Sequence, residues 1–484
     1  MKRNIRLLAA LLPLLLSACS LAPEYVRPDT ALPDEFALAE EANSATLEAA
    51  QTPAEALTAY SAENREWWLN FNSAALPRLQ TLALENNHNF AAERWVLAQA
   101  FSQARAARSS LLPSIDLGGS TSRRGSDSTS GYRVSDTFGG TVQASYEVDL
   151  WGANRESVNA QDFMAEASLY AWRGAGLSLE SEVALTYFSL LAARENLSVY
   201  ERMLAGAREV LDYQEKRERL GAAAPLEVAR QRGSVQSMEA ERLGYLSSLH
   251  EARNSLCLLL GVTELPQELE ALIAQDGLME ILPPEIGAGL PAQLLARRPD
   301  VAQAEARLMA ANADIGVARA AFLPGISLSA QAGWSSDALE ALISPASALY
   351  SLGASLIAPI FDGGRLMAQY DQSLAAKEEL VERYRQSALS AFWEVSTSLT
   401  ANGLLREQEV SRRESAAQTA EAYRIARTRY AAGAEDYISV IDAQDAMLSA
   451  DNSLIRARLE RLNGSVALFK ALGGGWSGES SASF

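Results

Sequence analysis

Histidine and cysteine are scarce in this chain of 484 residues, which contains two of each. His88 and His250 lie far apart in helical patterns, and the sequence has no HExxH motif, no P-loop and no Gly-x-Ser-x-Gly turn. A Cys/His cluster with metal-ligand spacing is missing too. We therefore expect no catalytic site, no metal and no cofactor, and we do not expect an enzyme.

Excess basic charge and long apolar runs are also missing. The formal net charge of −18 argues against a nucleic-acid partner, because phosphate binding needs a basic surface. Beyond residue 18 no stretch approaches the ~18 consecutive apolar residues of a transmembrane helix. If the chain crosses a lipid bilayer, we expect it to do so as a β-barrel, since only helices and closed barrels pair every backbone group there.

The N-terminus has the pattern of a secretory signal peptide. In "MKRNIRLLAALLPLLLSACS" a basic head and a short apolar run precede small residues and Cys19, which predicts a signal peptide over residues 1–18. "LSAC" resembles the bacterial lipobox, in which the cysteine becomes the first mature residue and carries covalent lipid. We predict lipidation of Cys19; the alternative is an ordinary signal peptide with an incidental cysteine. Ser20 is not the aspartate that commonly retains such lipoproteins at the inner membrane, which implies an outer-membrane destination. Cys257 then has no partner and is predicted to be a core residue.

The sequence repeats itself. Four landmarks recur in order at an offset of 210 to 212 residues: Pro113 and Pro324, Arg155 and Arg365, Gly221 and Gly433, and Asn89 and Asp300. Chance similarity between alanine-rich helices does not readily place four matches in order at one offset. We infer an internal duplication.

Each half is predicted to hold one strand, loop, strand unit between helices. Alternating apolar residues after a Leu-Pro step predict the strands, and polar loops are predicted at Ser120–Asp136 and Ser335–Ser347. Proline-free helical stretches follow that would each reach roughly 100 Å. Apolar residues at seven-residue intervals, such as Ile441, Leu448 and Ile455, predict coiled-coil packing.

Four strands per chain are too few to close a barrel. The smallest bacterial barrels have about eight strands with a filled interior, whereas three copies of this chain would supply about twelve and leave a lumen. The predicted fold class is therefore an α+β membrane protein: a trimeric twelve-stranded outer-membrane β-barrel, four strands per chain, continued by a long periplasmic α-helical coiled-coil barrel, with an internal two-fold repeat. A free-standing coiled-coil rod, anchored by lipid, is the alternative; it explains the heptads but not the strands.

The predicted boundaries follow from these patterns. In chain order they are a signal peptide at 1–18, a lipidated tether at 19–62, a first repeat at 63–270 (strands about 113–150, long helices about 151–220 and 226–260), a second repeat at 271–473 (strands about 324–361, long helices about 364–432 and 437–472) and a disordered tail at 474–484.

Several long segments resemble a known family. These are "RRPDVAQAEARLMAANADIGVARAAFLPGISLSAQAG" from Arg297, "YEVDLWGANR" from Tyr146, "APIFDGGR" from Ala358, "RYAAGAEDYISVIDAQ" from Arg429 and the mature start "CSLAPEYVRP". Over essentially 19–473 the chain resembles the outer membrane factors of tripartite efflux pumps and type I secretion systems, in particular the lipoprotein branch similar to OprM and, more distantly, to TolC.

This resemblance implies a homotrimer with an equatorial domain near the middle of its helical tube. It implies a channel that is closed at the periplasmic tip and opens when an inner-membrane transporter and a periplasmic adaptor dock. The lipoprotein branch favours efflux of toxic small molecules with a transporter of the resistance-nodulation-division type; protein secretion is the alternative within the family.

The resemblance also implies site residues at the two helix turns. The expected periplasmic gate consists of Tyr430, Ile438, Asp442, Glu227 and Arg230, and the expected adaptor-contact tips are Gly221, Ala222, Gly433 and Ala434. Ser439 and Glu435 depart from the usual pattern, in which many members have aspartate and some have arginine. The residues by themselves are also compatible with a solvated acid near a helix start for Asp442, a core residue for Ile438 and simple helix packing for Tyr430.

Overall fold

The computed structural model describes residues 20–30, 66–128, 131–284 and 298–474. The predicted signal peptide, the lipidation residue Cys19, most of the predicted tether and the tail beyond residue 474 lie outside the described residues.

The described part of the chain is mainly helical and carries one antiparallel sheet. In chain order it contains a 3-10 helix Trp67–Phe71, α1 Leu76–Asn86, α2 His88–Ala107, β1 Ser114–Ser128, β2 Gly131–Val148, α3 Ala153–Arg219, α4 Pro225–Leu259, α5 Gln267–Gln275, α6 Pro299–Ala320, β3 Gly325–Ser336, β4 Ala348–Ile357, α7 Arg365–Ala431 and α8 Tyr437–Ala471. Helices α3 and α7 have 67 residues each, and α4 and α8 have 35 each. Among the described helices, none combines the length and the apolar character needed to span a bilayer.

The sheet has the strand order β1-β2-β3-β4, and each neighbouring pair is antiparallel. The prediction of a polar loop at Ser120–Asp136 is wrong, because the β1–β2 ladder continues through this segment to the pairing of Ser128 with Gly131. Its serine, glycine and arginine residues are exposed where described, and the ladder is made by backbone groups that do not depend on apolar side chains. The connection from β3 to β4 contains two short 3-10 helices, Leu339–Ala341 and Pro345–Ser347.

The chain forms two compact units, each assembled from both halves of the sequence. Among the described residues, unit 1 comprises 20–29, 95–128, 131–170 and 302–386, and unit 2 comprises 30, 66–94, 171–284, 298–301 and 387–474. Unit 1 contains the sheet and most of α6. Unit 2 contains an aromatic core, in which Trp67, Phe71 and Phe469 are in ring contact.

In unit 1 the N-terminal segment, residues 20–29, is held against helices. The hydroxyl of Ser20 donates to Glu156 (2.6 Å), and Glu305 accepts hydrogen bonds from two further side chains of the segment. The segment approaches α6 at Gly316, where an added Cβ would lie 2.9 Å from a backbone nitrogen of the segment. This part of the predicted tether is therefore fixed to unit 1 over its first ten described residues.

In unit 2 a buried carboxylate caps the start of α1. Asp276 accepts from the hydroxyls of Ser73 (2.5 Å) and Tyr187 (2.6 Å) and from the amides of Ala74 and Ala75 (both 3.2 Å). Burial by itself raises the pKa of Asp276, but the four hydrogen bonds outweigh burial and lower the pKa below its ordinary value. The carboxylate stays ionised and holds the two residues that lead into α1.

A second buried carboxylate joins α7 to α8. Glu409, 1% exposed, accepts from Arg413 (2.6 Å), Arg458 (3.0 Å) and Arg461 (2.8 Å). Arg458 also donates to three backbone carbonyls within 278–281. The side chain of Arg458 thus links α7 and α8 to the segment that follows α5.

Candidate functional site at the helix turns

The turns α3–α4 and α7–α8 have the same backbone geometry. Gly221 and Gly433 both have φ of 72°, a left-handed conformation that glycine adopts without a Cβ penalty. In each turn the amides of the glycine and of the following alanine donate to the last carbonyls of the preceding helix, at 2.8 Å each in the first turn and at 3.0 and 2.9 Å in the second. This is a Schellman ending. Gly221, Ala222, Gly433 and Ala434 are all exposed, so the predicted adaptor-contact residues are accessible; their contact with a partner stays a prediction.

The start of α8 is capped by its own chain. Asp436 accepts from the backbone amide of Ser439 (2.8 Å), and the hydroxyl of Ser439 lies 2.8 Å from Asp436 Oδ1 and 3.2 Å from Glu435 Oε1. The amide and then the hydroxyl of Ser439 lower the pKa of Asp436. Glu435 Oε2 lies 3.1 Å from Arg429 Nε. Ser439 and Glu435 therefore stabilise the turn of their own chain.

Tyr430 packs beneath the second turn. It is 7% exposed, and the Nε2 of Gln214 on α3 donates to its hydroxyl at 3.2 Å. Its ring centroid lies 5.8 Å from that of Tyr437 and 6.4 Å from that of Tyr213. These contacts join the α7–α8 turn to α3. Within a single chain, Tyr430 is therefore a helix-packing residue.

Ile438 and Asp442 lie on an outward face of α8. Ile438 is 54% exposed, and Asp442 is exposed one turn later. Asp445 adds a second acid, whose pKa is raised by burial and then by the charges of Asp442 and Glu241. The arrangement presents an apolar side chain followed by a concentration of negative charge.

Glu227 and Arg230 lie near the start of α4. Glu227 occupies the first turn of the helix and is half-buried, whereas Arg230 is exposed and makes no ion pair with any residue the structure describes. Within the part of the chain that the structure describes, Arg230 is therefore not brought to an acidic partner.

Sequence reasoning missed Gln214, Tyr437 and Asp445. Only Asp445 had a sequence signal, its spacing of three residues from Asp442 on a helix. The described ranges contain no group of three or more His, Cys, Asp or Glu side chains that could hold a metal ion.

Comparison with known proteins shows which family and which solved structures the chain is similar to. The chain matches the family model described as "Outer membrane efflux protein" over residues 79–262 and 290–474. It is 36% identical to the Pyoverdine export outer membrane protein OpmQ of Pseudomonas aeruginosa, over 98% of this chain and 97% of that protein. It is 32% identical to the Toluene efflux pump outer membrane protein TtgF of Pseudomonas putida, over 98% of each. The solved Campylobacter jejuni CmeC outer membrane channel is similar with a TM-score of 0.81 and 26% identity, over 96% of each chain.

Proposed function

The chain belongs to the outer membrane efflux protein family, and from this premise we propose that it is the gated exit duct of an efflux pump. It is an outer-membrane efflux component that extends into the periplasm, and its family consists of passive channels rather than enzymes. The predictions of family, location and non-enzymatic efflux role are thereby confirmed.

The proposal of a duct rests on the open sheet. Strands β1 and β4 form its two edges, and edge amides left unpaired in lipid cost several kcal/mol each. Apolar side chains at alternate positions are exposed on the strands: Ile115 72%, Leu117 84%, Leu352 80% and Leu356 67%. A homotrimer would pair β1 of one copy with β4 of the next and close about twelve strands with these side chains towards lipid.

Local features that occur in both halves of the chain support the proposed two-fold repeat of residues 63–270 and 271–473. Left-handed glycines recur at one offset: Gly152 and Gly364, Gly221 and Gly433, and Gly261 and Gly473. Asn87 binds the carbonyl of Leu259 at the end of α4, and Arg298 binds the carbonyl of Ala471 at the end of α8. The two segments that match the family model, residues 79–262 and 290–474, are separated by a similar offset of 211 to 212 residues.

The gate is proposed at the second turn. In a trimer, three copies of Ile438 would narrow and dry the opening, and three copies of Asp442 would attract cations and repel anions. Tyr430 would hold the turn, while Glu227 and Arg230 would line the neighbouring first turn. The exposed Gly221, Ala222, Gly433 and Ala434 would admit the close backbone approach of a periplasmic adaptor, which would link the duct to an inner-membrane transporter of the resistance-nodulation-division type.

The cargo is proposed to be small organic molecules. One relative is named for pyoverdine export and another for toluene efflux, which favours small-molecule efflux over protein secretion. The transporter would select the cargo, and the duct would conduct it. The fixed position of Ser20 on unit 1 would hold the covalent lipid proposed on Cys19 at a defined place on the protein.

Planar-bilayer recording of the purified mature protein tests the proposal. The wild type should conduct ions, and Asp442→Ala should open more often. Asp337→Ala, which removes an exposed acid between β3 and β4, is the matched control and should behave as the wild type does. A protein that never conducts would be a rod rather than a duct; an Asp442→Ala channel identical to the wild type would remove the gate assignment.

A further inference from the structure

The two helix turns have the same backbone but different support. At the offset of 212 residues that relates Gly221 to Gly433, the counterparts of Tyr430 and Tyr437 are Glu218 and Pro225, neither of which is buried. The second turn therefore has two buried tyrosines at positions where the first turn has a glutamate and a proline.

The support consists of Gln214, Tyr430 and Tyr437, here named the turn clamp. Gln214 is fully buried on α3 and donates to the hydroxyl of Tyr430 at 3.2 Å. Tyr430 and Tyr437, on either side of the turn, are 7% and 6% exposed, and their ring centroids are 5.8 Å apart. Val210 of α3 and Val440 of α8 complete the cluster. The clamp thus packs both arms of the turn onto α3.

The hydrogen bonding of the turn clamp is incomplete. Among the described residues, Gln214 Oε1 and the hydroxyl of Tyr437 are buried and have no hydrogen-bond partner. Burial raises the pKa of Tyr437, and the nearby Tyr430 and Glu227 raise it further, so the hydroxyl remains protonated. A buried polar group without a partner destabilises the state that buries it. Both atoms would gain water if the turn moved away from α3.

We propose that Gln214 and Tyr437 are positioning residues of the gate with opposite effects. Gln214 holds Tyr430, and with it the α7–α8 turn, against α3. The unpaired hydroxyl of Tyr437 weakens the same packing and keeps it releasable. The inference rests on the proposed function of this turn as a gate, and it adds two residues that set the balance between its closed and open forms.

Single-channel recording and hydrogen exchange of the turn, both on the full-length protein, test this balance. Tyr437→Phe keeps the ring and removes the unpaired hydroxyl, so the open fraction should fall roughly tenfold and exchange in the turn should slow. Tyr430→Phe leaves the buried amide of Gln214 without its acceptor, so the open fraction should rise by a similar factor. Adding Gln214→Leu to Tyr430→Phe removes both polar partners and should return both readouts towards the wild type.

Tyr213→Phe is the matched control. Tyr213 is the neighbouring aromatic residue of α3, is 40% exposed, and should give wild-type values when its hydroxyl is removed. The proposal is overturned if Tyr437→Phe opens as often as the wild type or more often, or if the double variant is no closer to the wild type than Tyr430→Phe. A wild type without conductance would refute the proposed function alone, because hydrogen exchange would still measure the turn clamp.

Discussion

Replacing Glu409 with glutamine should lower the free energy of unfolding by about 3–5 kcal/mol, the usual cost of removing one partner from a buried ion pair. Glu409 and Arg458 have side chains that are 1% and 4% exposed, so solvent screens their attraction little. Burial lowers the pKa of Arg458, and the Glu409 carboxylate opposes that effect. Without the carboxylate, the cation would stay buried against neutral carbonyls only.

The geometry of the network explains why the loss should not be absorbed by rearrangement. Arg458 is fixed by three backbone carbonyls within 278–281 as well as by Glu409, so it cannot turn to solvent without giving up those bonds too. Arg413 differs, because its side chain is 59% exposed and can reach water. Arg413→Ala is therefore the matched control and should change stability by less than about 1 kcal/mol.

Guanidinium-induced unfolding of the detergent-solubilised protein, followed by tryptophan fluorescence, measures the difference. Converting Glu409 and Arg458 together to leucine should recover only part of the loss, because it removes the buried charges but leaves three backbone carbonyls within 278–281 without their donor. The reasoning is refuted if Glu409→Gln unfolds within about 1 kcal/mol of the wild type.

Three further changes test local features. Gly433→Ala should destabilise by about 1–2 kcal/mol through its left-handed φ, whereas Gly233→Ala within α4 should stabilise by up to about 1 kcal/mol; denaturation midpoints that move in the same direction would contradict this. Asp276 has a lowered folded-state pKa, so its contribution should be complete above about pH 4 and be lost as the pH falls through the folded-state value; the pH dependence of unfolding should flatten in that window in Asp276→Asn. Gly316→Ala should displace the segment around Ala22, and a segment as resistant to proteolysis as in the wild type would exclude that close approach.

The sequence was most informative where one residue type controls the backbone. The absence of proline from 153–219 and 365–431 is compatible with helices of 67 residues, and Gly221 and Gly433 indicated the turns between long helices. The polar segment after Ser120 lacks the apolar alternation that predicts a strand, yet it belongs to the β1–β2 ladder. Backbone pairing to the neighbouring strand, which sequence patterns do not display, decides that segment.

The residues that sequence reasoning missed are distinguished by their burial, which the sequence does not show. Gln214 and Tyr437 occur within ordinary helical patterns, where glutamine and tyrosine are commonly solvated. The proximity of Gln214 to Tyr430 arises because α3 packs beside a turn more than 200 residues later in the chain. Glu409 likewise meets Arg458 across 49 residues of sequence. Such pairs depend on how helices pack, which heptad spacing restricts but does not determine.

The mass of the protein in detergent tests the central claim most directly, because a chain with a four-stranded open sheet can form a duct only by joining its strands with those of other copies. Native mass spectrometry of the purified protein should give three times the mass of one chain. A protein that conducts ions but has the mass of a single chain would contradict the account.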